Sequence, residues 1–159
     1  MRNLGRVSSA VALVGLGAAL AAIPQFAASQ SQQESNAEPV PAYHAQAPTG
    51  ELPSTVEPAI YTGDRLVFNA YTVAARVKKV LYQQPCYCHC DRSSGHGSLL
   101  DCFVGQHGAR CDICQKEVFY SYQQARRGKT VTQIREGIMR GDWQKVDLAK
   151  YEKDYLPPR

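Results

Sequence analysis

All six cysteines of this 159-residue chain fall between positions 86 and 114. Their order is C-x-C-x-C, then one isolated cysteine, then C-x-x-C, and three histidines share the same window. The residues are Cys86, Cys88, Cys90, Cys102, Cys111 and Cys114, with His89, His96 and His107. So dense a set of thiols predicts a fold that is cross-linked, either by metal ions or by disulfides.

Metal binding is the first of these interpretations. Thiolate-rich ligand sets select soft ions, and six thiolates exceed the four that one tetrahedral zinc ion uses. We therefore predict that all six cysteines bind metal, with copper as Cu(I) the first choice and zinc the alternative. Further possible ligands are His89, His96 and His107. Each could instead form a hydrogen bond that stabilises the turn in which it lies.

The cysteine spacings suggest how one site would be assembled. On an extended backbone the alternating thiols of Cys86, Cys88 and Cys90 would share one side. Cys111 and Cys114 are expected at the start of a helix, where the dipole lowers the pKa of a thiol. We expect the triplet and this pair to act on one site, with Cys102 joining from a separate element.

Two alternatives stay open. The cysteines could form three disulfides that staple a structural or interaction domain, the usual outcome of an even cysteine count in an exported protein. Less favoured is a thiol–disulfide redox protein that uses Cys111 and Cys114, because no βαβ pattern surrounds that motif. The chain lacks recognised catalytic spacings such as H-E-x-x-H, so we predict a binding protein and no enzyme.

The N-terminus is typical of an exported protein. Residues 1–29 combine Arg2 and Arg6, an apolar run and small residues at the end, which predicts a signal peptide. Residues 30–56 are rich in Pro and Gln without apolar periodicity, which predicts a flexible linker, and His44 within it is expected to be solvated. The protein should be periplasmic, secreted or tethered by its N-terminus, with membrane contact only if that segment is uncleaved.

Residues 57–156 are expected to form an all-α domain. Asp64 is a candidate N-cap, and four short helices are predicted at about 64–84, 98–104, 112–127 and 130–140. They would form a small bundle around an irregular Cys-rich loop at 84–98, preceded by the signal peptide and a disordered linker. Thr130 and Gln133 predict a capping box for the last helix, and Met139 is expected in the core.

Charge identifies no partner beyond a metal ion. The formal net charge is +4, and removal of 1–29, which carries two arginines and no acid, leaves +2. This is too little to predict nucleic-acid binding. The expected partners are a metal ion and an extracytoplasmic metalloprotein or membrane complex with which the ion is exchanged.

The run Pro85-Cys86-Tyr87-Cys88-His89-Cys90 opens a string of motifs that resembles a known family. It continues with Gly95-His96, Asp101-Cys102-Phe103, His107-Gly108 and Cys111-Asp112-Ile113-Cys114. Together these motifs resemble the bacterial PCYCGC-motif proteins over about residues 71–138. The resemblance implies export and adds little about activity. His89 occupies the place of the family's usual glycine, and the lipid-attachment cysteine of some members is missing.

Overall fold

A computed structural model describes residues 38–154 and 156, and this part of the chain is all-α. It contains six α-helices and no strand, which confirms the predicted fold class. The helices are α1 (Arg65–Arg76), α2 (Lys78–Leu81), α3 (Cys90–Ser94), α4 (Asp101–Val104), α5 (Asp112–Arg126) and α6 (Val131–Met139). Short 3₁₀ turns occupy Pro58–Tyr61, His107–Arg110, Asp142–Lys145 and Leu148–Tyr151.

The first predicted helix is present but divided into two. Asp64 caps α1 as expected, because its carboxylate accepts a hydrogen bond from the Val67 amide at 3.1 Å. The helix then breaks at Val77, whose φ of −120° and ψ of 26° lie outside the helical region. α2 begins at the next residue, Lys78, so the single predicted helix is two.

The two C-terminal helices begin and end where the sequence predicts. α5 starts at Asp112, and Gly128 follows its end with a φ of 75°, which glycine adopts without strain. At the start of α6, Thr130 accepts from the Gln133 amide while the Gln133 side chain accepts from the Thr130 amide. The predicted capping box is confirmed.

The hydrophobic core lies between α1, α5 and α6. Tyr71 of α1 and Phe103 of α4 are fully buried, with ring centroids 5.1 Å apart in an edge-to-face arrangement. Ile134 and Ile138 supply the buried face of α6. Met139, expected in the core, is 44% exposed, because it lies about 100° around the helix from Ile138.

The cysteine triplet differs from the expected extended strand. The His89 amide donates to the Cys86 carbonyl at 3.1 Å, which closes a tight turn. His89 itself has φ 56° and ψ 33°, a left-handed conformation, and α3 begins at the next residue. The triplet is therefore folded into a turn and a helix start, within a region predicted as an irregular loop.

Residues 38–56 contain no helix or strand, yet they belong to the same compact unit as the helices. The His44 ring stacks on Tyr82 with centroids 3.9 Å apart, and the Val56 amide donates to the Phe103 carbonyl at 2.8 Å. The segment lies along the domain through these contacts, in contrast to the predicted free linker. The predicted signal peptide and the first linker residues, 30–37, lie outside the described residues.

Within the described residues, no helix combines the length and apolar character needed to cross a membrane.

Candidate metal centre

The six cysteine sulfurs meet in one cluster built from four short pieces of chain. The first two come from the turn before α3, and the others from the N-terminal ends of α3, α4 and α5. Cys86 Sγ lies 3.3 Å from Cys88 Sγ and 3.5 Å from Cys114 Sγ. Cys88 and Cys114 are themselves 3.6 Å apart. The triplet and the start of α5 thus share one site.

A second group of donors adjoins the first. Cys90 Sγ lies 3.4 Å from Cys102 Sγ, and His96 Nδ1 lies 3.1 Å from the former and 3.4 Å from the latter. His107 Nε2 lies 3.4 Å from Cys88 Sγ and links the two groups. Two of the three predicted histidines therefore contact the sulfurs.

The donors form three overlapping sets of four ligand atoms, each with all members within 4.8 Å of one another. The sets are Cys86-Cys88-Cys102-Cys114, Cys88-Cys90-Cys102-His107 and Cys88-His107-Cys111-Cys114. Cys88 belongs to every set, so two ions bound in two of these sets would share its sulfur. Two sulfurs held about 2.3 Å from one tetrahedral ion lie about 3.8 Å apart, so the sulfur–sulfur separations of the cluster are compatible with shared coordination.

All six cysteines are free thiols in this structure. Each sulfur–sulfur separation given above exceeds the roughly 2.05 Å of a disulfide bond. Cys111 and Cys114 also belong to a set that includes Cys88 and His107, so they are not an isolated redox pair. A cluster of cysteine and histidine side chains that could hold a metal ion is the arrangement observed.

His89 lies apart from this cluster. Its Nε2 faces the Glu38 carboxylate at 3.3 Å, and its ring packs against Tyr87. It belongs to none of the three sets found among the described residues. His89 occupies a left-handed turn position between two cysteines. Glycine, the usual residue at this place in the family that the chain resembles, adopts that conformation without strain.

Negative charge in the cluster falls on particular sulfurs. Hydrogen bonds from neighbouring thiols, Cys102 foremost, lower the pKa of Cys88. Hydrogen bonds led by Cys114 lower the pKa of Cys102 to about 4. Cys86 is shifted the other way, because its hydrogen bond with Cys102 and its burial raise its pKa. Cys88, which belongs to all three donor sets, and Cys102, which belongs to two, therefore ionise before Cys86.

The expected effect of the helix dipole on the other pair is not observed. The pKa of Cys114 is raised, chiefly by its hydrogen bonds with Cys102 and Cys111. For Cys111, the bond to Cys114 lowers the pKa, but contact with Cys88 and burial outweigh it and the net shift is upward. In the metal-free cluster, interactions among the crowded thiols affect these two pKa values more than the helix N-terminus does.

Glu117, a fully buried carboxyl beside the cluster, was not predicted from the sequence. Its Oε1 accepts a hydrogen bond from the Tyr87 amide at 2.9 Å, while Oε2 is buried with no hydrogen-bond partner in the described part of the chain. Burial raises the pKa of Glu117 well above its ordinary value, against the opposing effects of Cys86 and the Tyr87 amide. The signal for it was the spacing of Cys111, Cys114 and Glu117, which places all three on one face of α5.

Close packing fixes the turn that carries His107. A Cβ on Gly108 would lie 2.7 Å from the Phe103 ring, so only glycine fits at this position without a shift. The Gln115 side chain of α5 donates to the Gly108 and Ala109 carbonyls at 3.0 and 3.4 Å. These contacts position the His107 turn against the helix that carries Cys114.

The loop between α3 and α4 is held by one carboxylate. Asp101 Oδ2 accepts from the Gly97 and Ser98 amides at 2.7 and 3.1 Å. The Leu99 amide then donates to the Gln84 carbonyl at 2.9 Å, which ties this loop to the residue just before the triplet. Asp101 thus orients the segment between His96 and Cys102 and belongs to none of the donor sets.

The comparisons with known proteins identify a family without a known activity. A family model described as "Protein of unknown function with PCYCGC motif" matches residues 25–142, which is more than half of the chain and includes the whole cluster. No curated protein and no solved structure matches the chain. The three thiols of the motif, Cys86, Cys88 and Cys90, are three of the six sulfurs of the cluster, and the chain belongs to the family of proteins with a PCYCGC motif.

Proposed function

We propose that this is an exported protein that binds Cu(I) through its cysteine cluster, for storage, delivery or homeostasis of the ion. The observation that carries the proposal is the convergence of six free thiols and His107 into donor sets within 4.8 Å. Zinc is the alternative ion.

The composition of the donor sets favours copper over zinc. Each set contains at least three sulfurs, and thiolates are soft ligands that suit monovalent copper. One structural zinc ion would use four ligands and leave the remaining thiols of the cluster without a role. Several Cu(I) ions that share the sulfur of Cys88 would use all six thiols of the cluster.

Export is supported by the sequence pattern of residues 1–29. A soft-metal protein outside the cytosol would exchange its ion with an extracytoplasmic metalloprotein or a membrane complex. Contact with the membrane itself would require that the N-terminal segment remain uncleaved. Intact-mass measurement of the protein from the soluble extracytoplasmic fraction tests this: a mass that corresponds to a start near Gln30 is expected, and a full-length mass there contradicts it.

Metal titration of the fully reduced, metal-free protein tests the central proposal. We expect uptake of more than one equivalent of Cu(I), with loss of thiol reactivity and appearance of thiolate-to-copper absorption. Cys88→Ala and Cys114→Ala should each lower the stoichiometry, and the exposed control Lys129→Ala should not. A reduced protein that binds neither Cu(I) nor zinc would overturn the proposal.

The same protein distinguishes metal binding from the disulfide alternative. Thiols should be counted in protein purified without reductant, once with a chelator and once with a reductant. Thiols that appear on chelation indicate metal. Thiols that appear only on reduction indicate disulfides, and the cysteines would then stabilise the fold as covalent cross-links.

A further inference from the structure

The cluster is asymmetric with respect to solvent. Four of its sulfurs belong to residues that are at most 3% exposed, namely Cys86, Cys90, Cys102 and Cys114. The other two cysteines, Cys88 and Cys111, are partly exposed, and so is His107. These three residues are members of one donor set, whose fourth member is Cys114. One end of the cluster therefore faces the surface and the rest is enclosed.

A surface cavity of about 360 Å³ opens at that end. It is lined by Gln106, His107, Arg110 and Cys111. Two of these four residues are members of the outer donor set, and the other two carry an amide and a guanidinium group. A cavity of this size admits a small ligand or a pair of side chains. The cavity reaches the metal donors without displacement of any buried side chain.

We infer that metal enters and leaves the cluster through this cavity, by exchange of Cys111 with the thiolate of an anionic Cu(I) bis-thiolate complex. The inference rests on the proposed copper-binding function and adds the route by which the ion enters and the order in which bound ions are released. The ion held by Cys88, His107, Cys111 and Cys114 is the exchangeable one. Ions held deeper, by Cys90 and Cys102, are retained.

The exchange is balanced without any redox change. The first copper–sulfur bond to the carrier breaks as a bond from copper to Cys111 Sγ forms, the second breaks as a bond from copper to Cys88 Sγ forms, and the copper remains monovalent throughout. The proton of each attacking thiol passes to the carrier thiolate that it displaces. Release is the reverse, so the same residues serve loading and unloading.

The charge of the cavity matches such a carrier. A Cu(I) ion bound by two thiolates has a net charge of −1, and the Arg110 guanidinium beside Cys111 supplies a fixed positive charge at the point of approach. Opposite charges raise association rates, and added salt reduces the effect. Arg110 belongs to none of the donor sets, so it acts on the approach of the carrier and not on the affinity for the ion.

Stepwise removal of copper tests the order of release. The Cu(I)-loaded protein is treated with increasing bathocuproine disulfonate, pulsed with an alkylating reagent at each step and mapped by peptide mass spectrometry. Cys111 should be alkylated in the first step, while Cys90 and Cys102 remain protected until later steps. Simultaneous alkylation of all six cysteines, or alkylation of Cys90 first, would overturn the inference while leaving copper binding intact. Absence of bound copper at the start would instead reject the proposed function.

Two variants test the route itself. With glutathione and a Cys-x-x-Cys peptide as separate Cu(I)-thiolate donors, Arg110→Ala should slow the first loading step several-fold at low salt with unchanged final stoichiometry. Arg127→Ala, an exposed arginine that does not line this cavity, is the control. Cys111→Ser should remove the early phase of copper loss, whereas Cys90→Ser should leave it in place. An Arg110→Ala protein that loads at the wild-type rate with both donors contradicts the route, and a slowed rate with one donor identifies the source.

Discussion

The helical scaffold and the cysteine segment of this domain are held in place by different kinds of interaction. The scaffold, α1, α5 and α6, has side-chain caps at two helix starts and a continuous apolar core. The cysteine segment, residues 85–111, contains two helices of five and four residues, which are too short to be stable alone. Its buried side chains include those of Leu99, Leu100 and Phe103 together with the thiols of Cys86, Cys90 and Cys102. Burial of apolar side chains can stabilise the first region by itself, whereas we expect the second to depend also on cross-links through its thiols.

Removal of metal should separate the two regions most clearly. We expect the metal-free, reduced protein to lose amide protection throughout the cysteine segment while the centres of α1 and α5 remain protected. Since metal binding is coupled to folding, the thermal midpoint should fall by more than about 10 °C. Hydrogen exchange with and without chelator measures both effects, and equal protection in both states would show that the scaffold alone orders the cysteines.

The cost of a substitution in the scaffold core should not depend on metal. Phe119 is fully buried on α5, and its ring stacks on Tyr151 with centroids 3.6 Å apart. Phe119→Ala should cost about 3–5 kcal/mol of unfolding free energy. The loss should be similar with and without metal, because the packing does not involve a ligand.

Cys90→Ala is the matched comparison, since Cys90 is 1% exposed and belongs to the cluster. Its cost should be greater in the metal-loaded protein than in the metal-free one. Denaturant unfolding of both variants in both states measures the four values. If both variants respond to metal in the same way, the two regions are not stabilised differently.

The scaffold could be predicted from sequence because its signals are local. Asp64, Thr130 with Gln133, and Gly128 mark the ends of helices through interactions within a few residues, and the apolar period identifies the buried faces. The break at Val77 was not predicted, because the apolar stripe continues across it. Periodicity detects a helical face but not a single non-helical residue within it.

The cysteine segment could be predicted in composition but not in geometry. Alternating cysteines fit a strand as well as a turn, and the left-handed conformation of His89 leaves no signal in a non-glycine residue. The long-range bond from the Leu99 amide to the Gln84 carbonyl fixes the loop, and no pattern within the loop indicates it. Glu117 was missed because an acidic residue on a helix is usually solvated.

Glu117→Gln should reveal how much folding stability is lost by burying an ionisable carboxyl at the boundary between the two regions. The raised pKa means that the folded state binds a proton more tightly than the unfolded state. The wild type therefore loses stability as pH rises above the ordinary Glu value of 4.5, and glutamine, which keeps an oxygen for the Tyr87 amide, does not. The variant's relative stability should increase with pH.

The measurement is urea unfolding of metal-free, reduced wild type and variant between pH 5 and about pH 8. Glu136→Gln, at an exposed position, is the control and should show no such trend. A stability difference that is constant over this range would mean that Glu117 ionises as readily in the folded protein as in the unfolded chain.

Thr130→Ala tests the scaffold without affecting the cluster. The hydroxyl accepts from the Gln133 amide at 3.2 Å, and loss of such a cap costs about 1 kcal/mol. Thr132→Ala, on the same helix but with no role in the cap, should have a smaller effect. Copper stoichiometry should be unchanged in both variants. A change would mean that the stability of α6 affects metal binding by the cysteine segment.

His89→Gly should have the smallest effect and tests the role of the residue between Cys88 and Cys90. Glycine adopts the left-handed conformation without strain, which favours the folded state, but it loses more backbone entropy on folding and abolishes the contact with Glu38. These terms oppose each other, so unfolding free energy should change by less than about 1 kcal/mol. Copper stoichiometry should stay at the wild-type value, because His89 Nε2 faces Glu38 and not the sulfurs. His89→Ala is the control: it also lacks the imidazole but retains the left-handed strain, so it should be less stable than His89→Gly. If both variants lose one equivalent of copper, the His89 imidazole is a ligand in the metal-loaded protein and the turn must rearrange when metal binds.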